Sequence, residues 1–140
     1  MSRDLEKRAY GRNLTEFISE LSKFAIIKWV GLPSNKSSKQ GVRSDILDTA
    51  NSIHEAKMYI GPEGGLLWLA AGIGCSCVYF TEHILHLENV NHKVGLDKIL
   101  GSKNHFPTRR DILSLHPYCT NAEAIQSIIE FMKKLGTYRE

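Results

Sequence analysis

The chain has 140 residues, 24% of them charged, and a formal net charge of +3, which are ordinary values for a globular protein. This length favours a single domain over residues 1–140, with a core that needs no disulfide or metal to hold it together. Three cysteines leave one unpaired in any pairing scheme, which excludes a fully disulfide-bonded framework and favours a reducing compartment.

The charges are unevenly distributed along the chain. Residues 1–43 carry +5, residues 44–90 carry −5 and residues 91–117 carry +3. Two basic flanks around an acidic middle suit RNA or another polyanion, suit self-association through opposite patches, or form an ordinary solvated surface. The charged amino terminus is followed by no apolar run, so the sequence predicts no secretory signal and a cytoplasmic location.

The first predicted element is a helix over residues 4–31. Its apolar residues recur at a spacing of three to four, typical of a helix with one buried face: Tyr10, Leu14, Phe17, Leu21 and Phe24. Pro33 ends it, and residues 34–41 form a polar connector. A second helix is predicted over 44–60, with Ser44 as its cap.

The segment 66–80 has no charged residue and is bounded by the glycine-rich turn 61–65 and by Thr81. An element that is apolar on every side must be covered on every side, so the sequence predicts a central buried helix there. The run is too short to span a membrane, which takes about 20 apolar residues. A pair of strands over 66–71 and 75–80 is the alternative, with a turn at 72–74.

Three further helices are predicted towards the carboxyl end. A short one covers 95–100 and another covers 108–115, with Thr108 as its cap and Pro117 after its end. The last helix covers 120–135, where Thr120 and Glu123 form a capping box and Gly136 is the stop signal. The fold expected is therefore all-α, a bundle of about five helices around the central helix 66–80, and its apolar surface suggests a homodimer or higher homo-oligomer.

Two clusters contain residues that carry chemistry. His83 and His86 lie three apart, which on a helix would place them on one face, but a metal site there would need further ligands, so no metal or other cofactor is expected. The second cluster is 108–118, where an arginine can bind a phosphate bidentately and a histidine can transfer a proton near neutral pH. Residues 61–65 lack the lysine and hydroxyl of a phosphate-binding loop and are expected to form a turn.

The second cluster resembles the HEPN family in having Arg110, the polar Asp111, His116, Tyr118 and then a long final helix. The resemblance covers about residues 108–135. HEPN proteins are small and all-helical, and many are ribonucleases of toxin–antitoxin, CRISPR and other defence systems that dimerise to form one composite cleft. The resemblance would imply that Arg110 binds the scissile phosphate, that His116 is the acid–base group and that Asp111 supports them.

The leading functional hypothesis is therefore metal-independent cleavage or binding of RNA. Arg110 and His116 are the candidate catalytic residues, and Arg109, Asp111 and Tyr118 are candidate ligand-binding residues. The alternative is a non-catalytic helical protein, either an adaptor subunit or a sink for an anionic small ligand. Its basic rim would consist of Arg43, Lys103, Arg109 and Arg110.

Overall fold

A computed structural model of the chain describes residues 1–6, 9–31, 42–81, 106 and 108–137, with the main chain alone at 42–45. The described part contains both α-helices and a three-stranded parallel sheet, so the prediction of an all-α bundle is wrong. The elements in chain order are a 3-10 helix at Arg3–Glu6, α1 Leu14–Ser22, α2 Val42–Glu55, β1 Tyr59–Pro62, α3 Gly65–Ile73, β2 Cys77–Phe80, β3 Ile112–Leu115 and α4 Asn121–Leu135.

The three strands form a parallel sheet in the order β1, β2, β3. In its register, Pro62 lies opposite Phe80, and Phe80 lies opposite Leu115, so the three strands end at the same level. A parallel connection between neighbouring strands needs a crossover, and α3 provides it between β1 and β2. The fold is thus a βαβ unit extended by β3, flanked by helices.

The predicted central helix 66–80 is divided between α3 and β2. Gly74 ends α3 with a φ of +92°, a left-handed conformation that glycine adopts without steric cost, and its N–H bonds to carbonyls of the last helical turn. Beyond it, Val78, Tyr79 and Phe80 are β-branched or aromatic residues that favour strands. The second strand of the alternative prediction therefore contains β2, while 66–71 is helical.

Three other helix predictions are wrong in extent or type. The predicted helix 4–31 is interrupted by Tyr10 and Gly11, which both have positive φ, and within it α1 covers nine residues, with Phe17 and Leu21 buried. The predicted helix 108–115 contains no helix: its second half is β3, a strand whose ends are buried. The second predicted helix is α2, which ends at Glu55, so Ile60 belongs to β1. The predicted helix 95–100 lies outside the described residues.

The last helix is as predicted. Thr120 accepts a hydrogen bond from the Glu123 N–H at 3.1 Å, and the Glu123 carboxylate accepts one from the Thr120 N–H at 3.2 Å. Gly136 closes the helix with a φ of +75°. Both ends of α4 are therefore satisfied by residues within its own sequence.

The sheet separates two apolar layers because successive strand side chains point to opposite faces. One layer lies on the α2 and α3 side and includes Tyr59, Cys77, Tyr79 and Ile112 from the strands. The other lies on the α1 and α4 side and includes Val78, Phe80 and Leu115 together with Phe17, Ile128 and Phe131. The domain is thus a three-layer sandwich of helices, sheet and helices.

The amino-terminal residues extend the sheet beyond β1. The Ser2 N–H donates to the Ile60 carbonyl at 2.8 Å. The Val30 carbonyl accepts from the Arg3 N–H at 2.8 Å, and the Val30 N–H donates to the Met1 carbonyl at 2.9 Å. Ser2 therefore lies between Val30, its partner in an isolated parallel bridge, and β1, the first strand of the three-stranded sheet. None of the helices in the described part is long and apolar enough to cross a membrane.

Candidate functional site at the carboxyl edge of the sheet

Three polar residues follow the three strands at one level. Glu63 comes directly after Pro62, Thr81 after Phe80 and His116 after Leu115. Since those preceding residues are register partners, and neighbouring strands lie about 4.8 Å apart, the three polar residues form a row along the carboxyl edge. The Thr81 hydroxyl donates to Glu63 Oε2 at 3.3 Å, and the Thr81 N–H donates to the Leu115 carbonyl at 3.0 Å. Thr81 and His116 are both buried.

The loop from β1 into α3 brings main-chain donors to the same edge. α3 begins at Gly65, and its N-cap is Gly64, which has no side chain to accept hydrogen bonds from the first turn. The first N–H groups of a helix have no partner within the helix, and they carry the positive end of its dipole. The amino end of α3 is therefore a place where an acceptor group from a ligand can bind.

His116 is held in a defined orientation. Its Nδ1 accepts a hydrogen bond from the Tyr118 N–H at 3.0 Å, which in the neutral imidazole assigns the proton to Nε2. The His116 side chain is 7% exposed, whereas the Tyr118 ring, whose centroid is 5.8 Å from that of His116, is 49% exposed. A buried imidazole thus lies next to a tyrosine that is exposed to solvent.

Arg12 adds a positive charge beside this edge. Its guanidinium lies 4.3 Å above the Phe80 ring and donates to the Pro117 carbonyl at 2.9 Å and to Asn121 Oδ1 at 3.1 Å. Asn121 in turn donates to the Asn13 carbonyl at 2.9 Å. These bonds hold the loop that follows β3 against the start of α1, and they fix the backbone next to His116.

Arg109 and Asp111 lie at the opposite, amino edge. Arg109 Nε and Nη2 donate to the two Asp111 carboxylate oxygens at 2.8 and 2.9 Å, and Nη1 donates to the Ala71 carbonyl at 2.8 Å. These bonds from Arg109 lower the pKa of Asp111, and the same pairing raises the pKa of Arg109. Arg109 thereby binds a carbonyl of the last turn of α3, where a cation is favoured by the helix dipole.

The structure separates the two residues predicted to cleave RNA. Arg110 is exposed and precedes β3, whereas His116 is buried and follows it. The four residues of β3 span about 13 Å, so the two side chains lie at opposite edges of the sheet. The structure does bring together Arg109 with Asp111 and His116 with Tyr118.

The other residues predicted to bind a ligand are not brought to the carboxyl edge by any described contact. Arg43 lies in the first turn of α2. Lys103, like His83 and His86, lies outside the described residues. Among the residues that are described, no group of three histidine, cysteine, aspartate or glutamate side chains can hold a metal ion.

The thiols of Cys75 and Cys77 are buried, and that of Cys119 is partly exposed. Burial raises the pKa of all three, that of Cys77 to about 12. A thiol with a raised pKa is a poor nucleophile at neutral pH, because the thiolate is the reactive form.

Sequence reasoning missed Glu63, Thr81 and Arg12. The sequence contained a usable signal for the first two, because each directly follows a short apolar run. Glu63 stands in the glycine-rich turn after its run, and Thr81 stands where the apolar run gives way to polar residues. Reading those runs as strands would have placed both residues at one sheet edge. Arg12 had no such signal, since its position over Phe80 depends on contacts far apart in the chain.

Comparison with protein-family models, with characterised proteins and with solved structures gives no match for this chain.

Proposed function

We propose that this chain binds a small molecule bearing both a phosphate group and hydroxyl groups, at the carboxyl edge of its parallel sheet. The observation that carries the proposal is the row of Glu63, Thr81 and His116, each directly after one of three adjacent strands. Open parallel sheets bind their ligands at this edge because loops from several strands converge there. The proposed activity is binding of an anionic ligand, with no catalytic step.

The path of the chain supports the same location. From Ser2 the chain passes through α1 to Val30, which bridges one side of Ser2, and it then returns to β1, whose Ile60 carbonyl accepts the Ser2 N–H. The order of these segments therefore reverses between Ser2 and β1. A crevice forms at such a switch point, outside the carboxyl ends of the strands, and the loop 61–65 begins there.

The donors and acceptors at this edge specify the two parts of the ligand. N–H groups in the first turn of α3 favour an anionic oxygen such as that of a phosphate. An ionised Glu63 repels a phosphate and accepts hydrogen bonds, so it suits hydroxyl groups on the same molecule. A phosphorylated polyol meets both requirements.

The binding test uses three matched probes: ribose 5-phosphate, ribose and inorganic phosphate. Gly65→Pro removes one N–H from α3 at the first helical position, where proline is tolerated, and Gly65→Ala keeps that N–H. A Cβ at Gly65 meets no atom within 4 Å, so alanine fits there, and the fixed φ of proline suits the first helical position. We expect ribose 5-phosphate to bind most tightly, and Gly65→Pro to bind it about tenfold more weakly than Gly65→Ala at an equal Tm, which corresponds to one lost charge-assisted hydrogen bond.

Glu63→Gln tests the hydroxyl half of the ligand. Loss of the carboxylate should reduce the preference for ribose 5-phosphate over inorganic phosphate, because phosphate offers no sugar hydroxyl. Binding is measured by titration calorimetry and by amide chemical shifts at Gly64, Gly65 and Leu66. Equal affinities for all three probes, or amide shifts confined to other parts of the chain, would reject the proposal.

RNA cleavage by Arg110 and His116 stays a prediction. With β3 between them, the two side chains could meet on one phosphate if two chains each supplied one. The test is incubation of single-stranded RNA with purified protein in EDTA, with His116→Ala as the comparison. Cutting that survives His116→Ala would be assigned to a contaminating nuclease.

A further inference from the structure

Thr81 links the ends of all three strands at the carboxyl edge of the sheet. Its N–H donates to the Leu115 carbonyl of β3 at 3.0 Å, and its hydroxyl donates to Glu63 Oε2, just after β1, at 3.3 Å. The Glu63 N–H in turn donates to the Phe80 carbonyl of β2 at 3.0 Å. The main chains of Glu63 and Thr81 are therefore fixed by bonds to the neighbouring strands, and these bonds determine where each side chain begins.

The two side chains differ in their access to solvent. Thr81 is 0% exposed, whereas Glu63 is only partly buried. A ligand that binds at this edge can therefore contact the Glu63 carboxylate, while the Thr81 hydroxyl lies beneath the surface. A threonine hydroxyl has one proton to donate, and Glu63 Oε2 accepts it here. An effect of the Thr81 hydroxyl on a ligand must then pass through the Glu63 carboxylate.

We propose that Thr81 is a positioning residue, which holds the Glu63 carboxylate in the orientation that accepts hydrogen bonds from hydroxyl groups of the ligand. Holding a long side chain in one conformation before the ligand arrives reduces the entropy that binding costs. An ionised carboxylate has about four acceptor sites on its two oxygens, so it can accept from Thr81 and from a ligand hydroxyl at once.

This role makes Thr81 a determinant of selectivity. Because the assignment rests on the proposed function, Glu63 binds the hydroxyl part of the ligand and the first turn of α3 binds the phosphate part. Inorganic phosphate has no sugar hydroxyl, so its affinity should not depend on Thr81. The affinity for ribose 5-phosphate should depend on it, through Glu63.

Two variants of Thr81 separate the hydroxyl from the rest of the side chain. Thr81→Val removes the hydroxyl and keeps the branched shape, and Thr81→Ser keeps the hydroxyl. We expect Thr81→Val to bind ribose 5-phosphate about three- to tenfold more weakly, the loss of one hydrogen bond, with no change for inorganic phosphate. Thr81→Ser should retain the selectivity of the wild type. Equal losses for both ligands would indicate general damage to the site and would overturn the proposal.

A double-mutant cycle tests whether Thr81 acts through Glu63. Glu63→Ala removes the carboxylate altogether, so adding Thr81→Val to it should not change the affinity for ribose 5-phosphate further. Non-additive effects of this kind identify two residues that act as one unit. If the two substitutions instead add independently, Thr81 affects the ligand by another route and is not a positioning residue for Glu63.

An NMR measurement on the free protein distinguishes failure of this role from failure of the proposed function. Three-bond couplings along the Glu63 side chain should report one dominant rotamer in the wild type and in Thr81→Ser, and rotamer averaging in Thr81→Val. The exposed Glu55 is the reference, and its couplings should be the same in all three proteins. A Glu63 side chain that is averaged in the wild type, or still fixed in Thr81→Val, would overturn the positioning role whether or not the probes bind. If the couplings are as expected and no probe binds, the proposed function is what fails.

Discussion

Arg109 binds both carboxylate oxygens of Asp111 and, with the same guanidinium, the carbonyls of Ala71 and Cys75. One side chain thus joins the start of β3 to the end of α3, two elements separated by more than 30 residues of sequence. Because the guanidinium is planar and forked, it can make these bonds at once, which a lysine cannot. This contact gives the pair a structural role at the amino edge of the sheet.

Asp111→Asn should lower the free energy of unfolding by about 1 kcal/mol at pH 7. This loss is smaller than for a fully buried pair, because 30% and 31% of the two side chains are exposed to water. Urea unfolding monitored by circular dichroism measures it. Glu20→Gln, which removes an exposed partner of Lys23, is the matched control and should change stability by less than about 0.5 kcal/mol.

The cost of Asp111→Asn should also depend on pH. The folded protein holds the pKa of Asp111 below its ordinary value, chiefly through the hydrogen bonds from Arg109. A lowered carboxylate pKa stabilises the fold at pH values above the unfolded pKa of about 3.9, and that contribution is lost as the pH falls through the folded pKa. The difference between wild type and variant should therefore be constant near neutral pH and shrink below about pH 4. A constant difference down to pH 2.5 would contradict this account.

Gly61→Ala and Gly72→Ala should change stability in opposite directions. A Cβ at Gly61 would lie 2.5 Å from Tyr59 Oη and 2.7 Å from Ser2 Cβ, which is too close in a packed strand. Such overpacking costs about 1–3 kcal/mol. A Cβ at Gly72 meets nothing within 4 Å, and alanine is favoured over glycine inside a helix by about 1 kcal/mol. Thermal unfolding should show a lower Tm for the first variant and a higher Tm for the second.

The three thiols should react slowly in the folded protein. Burial raises the pKa of Cys75 and Cys119 and raises that of Cys77 to about 12, so little thiolate is present at pH 8. We expect Cys119, which is partly exposed, to react first with iodoacetamide and Cys77 last. Mass spectrometry with and without urea measures the order. Rapid labelling of Cys77 without urea would mean that β2 opens readily.

Thr120→Ala should lower the free energy of unfolding by about 1 kcal/mol, the usual cost of losing a helix cap. The hydroxyl of Thr120 accepts the Glu123 N–H at 3.1 Å, and alanine leaves that N–H without this acceptor. Thr120→Ser keeps the hydroxyl and should retain most of the stability. If both variants lose equal stability, the methyl group of Thr120, and not its hydroxyl, is responsible.

Local interactions explain why α4 was predicted correctly. Its cap, its buried stripe and its glycine stop all lie within 17 consecutive residues, from Thr120 to Gly136, so the sequence contains everything that defines its two ends. The amphipathic spacing around Phe17 and Leu21 likewise identified a helix, although not where it begins or ends.

Tertiary contacts decided the fold class and the candidate site. An apolar run such as 66–80 must be buried, but burial alone does not distinguish a helix from a strand between helices. Val78 and Leu113 become strand residues because β1, β2 and β3 pair across long stretches of sequence, and that pairing satisfies their main-chain groups. The same pairing brings Glu63, Thr81 and His116 to one edge and sends Arg110 to the other. A parallel sheet joins residues far apart in the chain, so no local pattern of spacing predicts which side chains will meet.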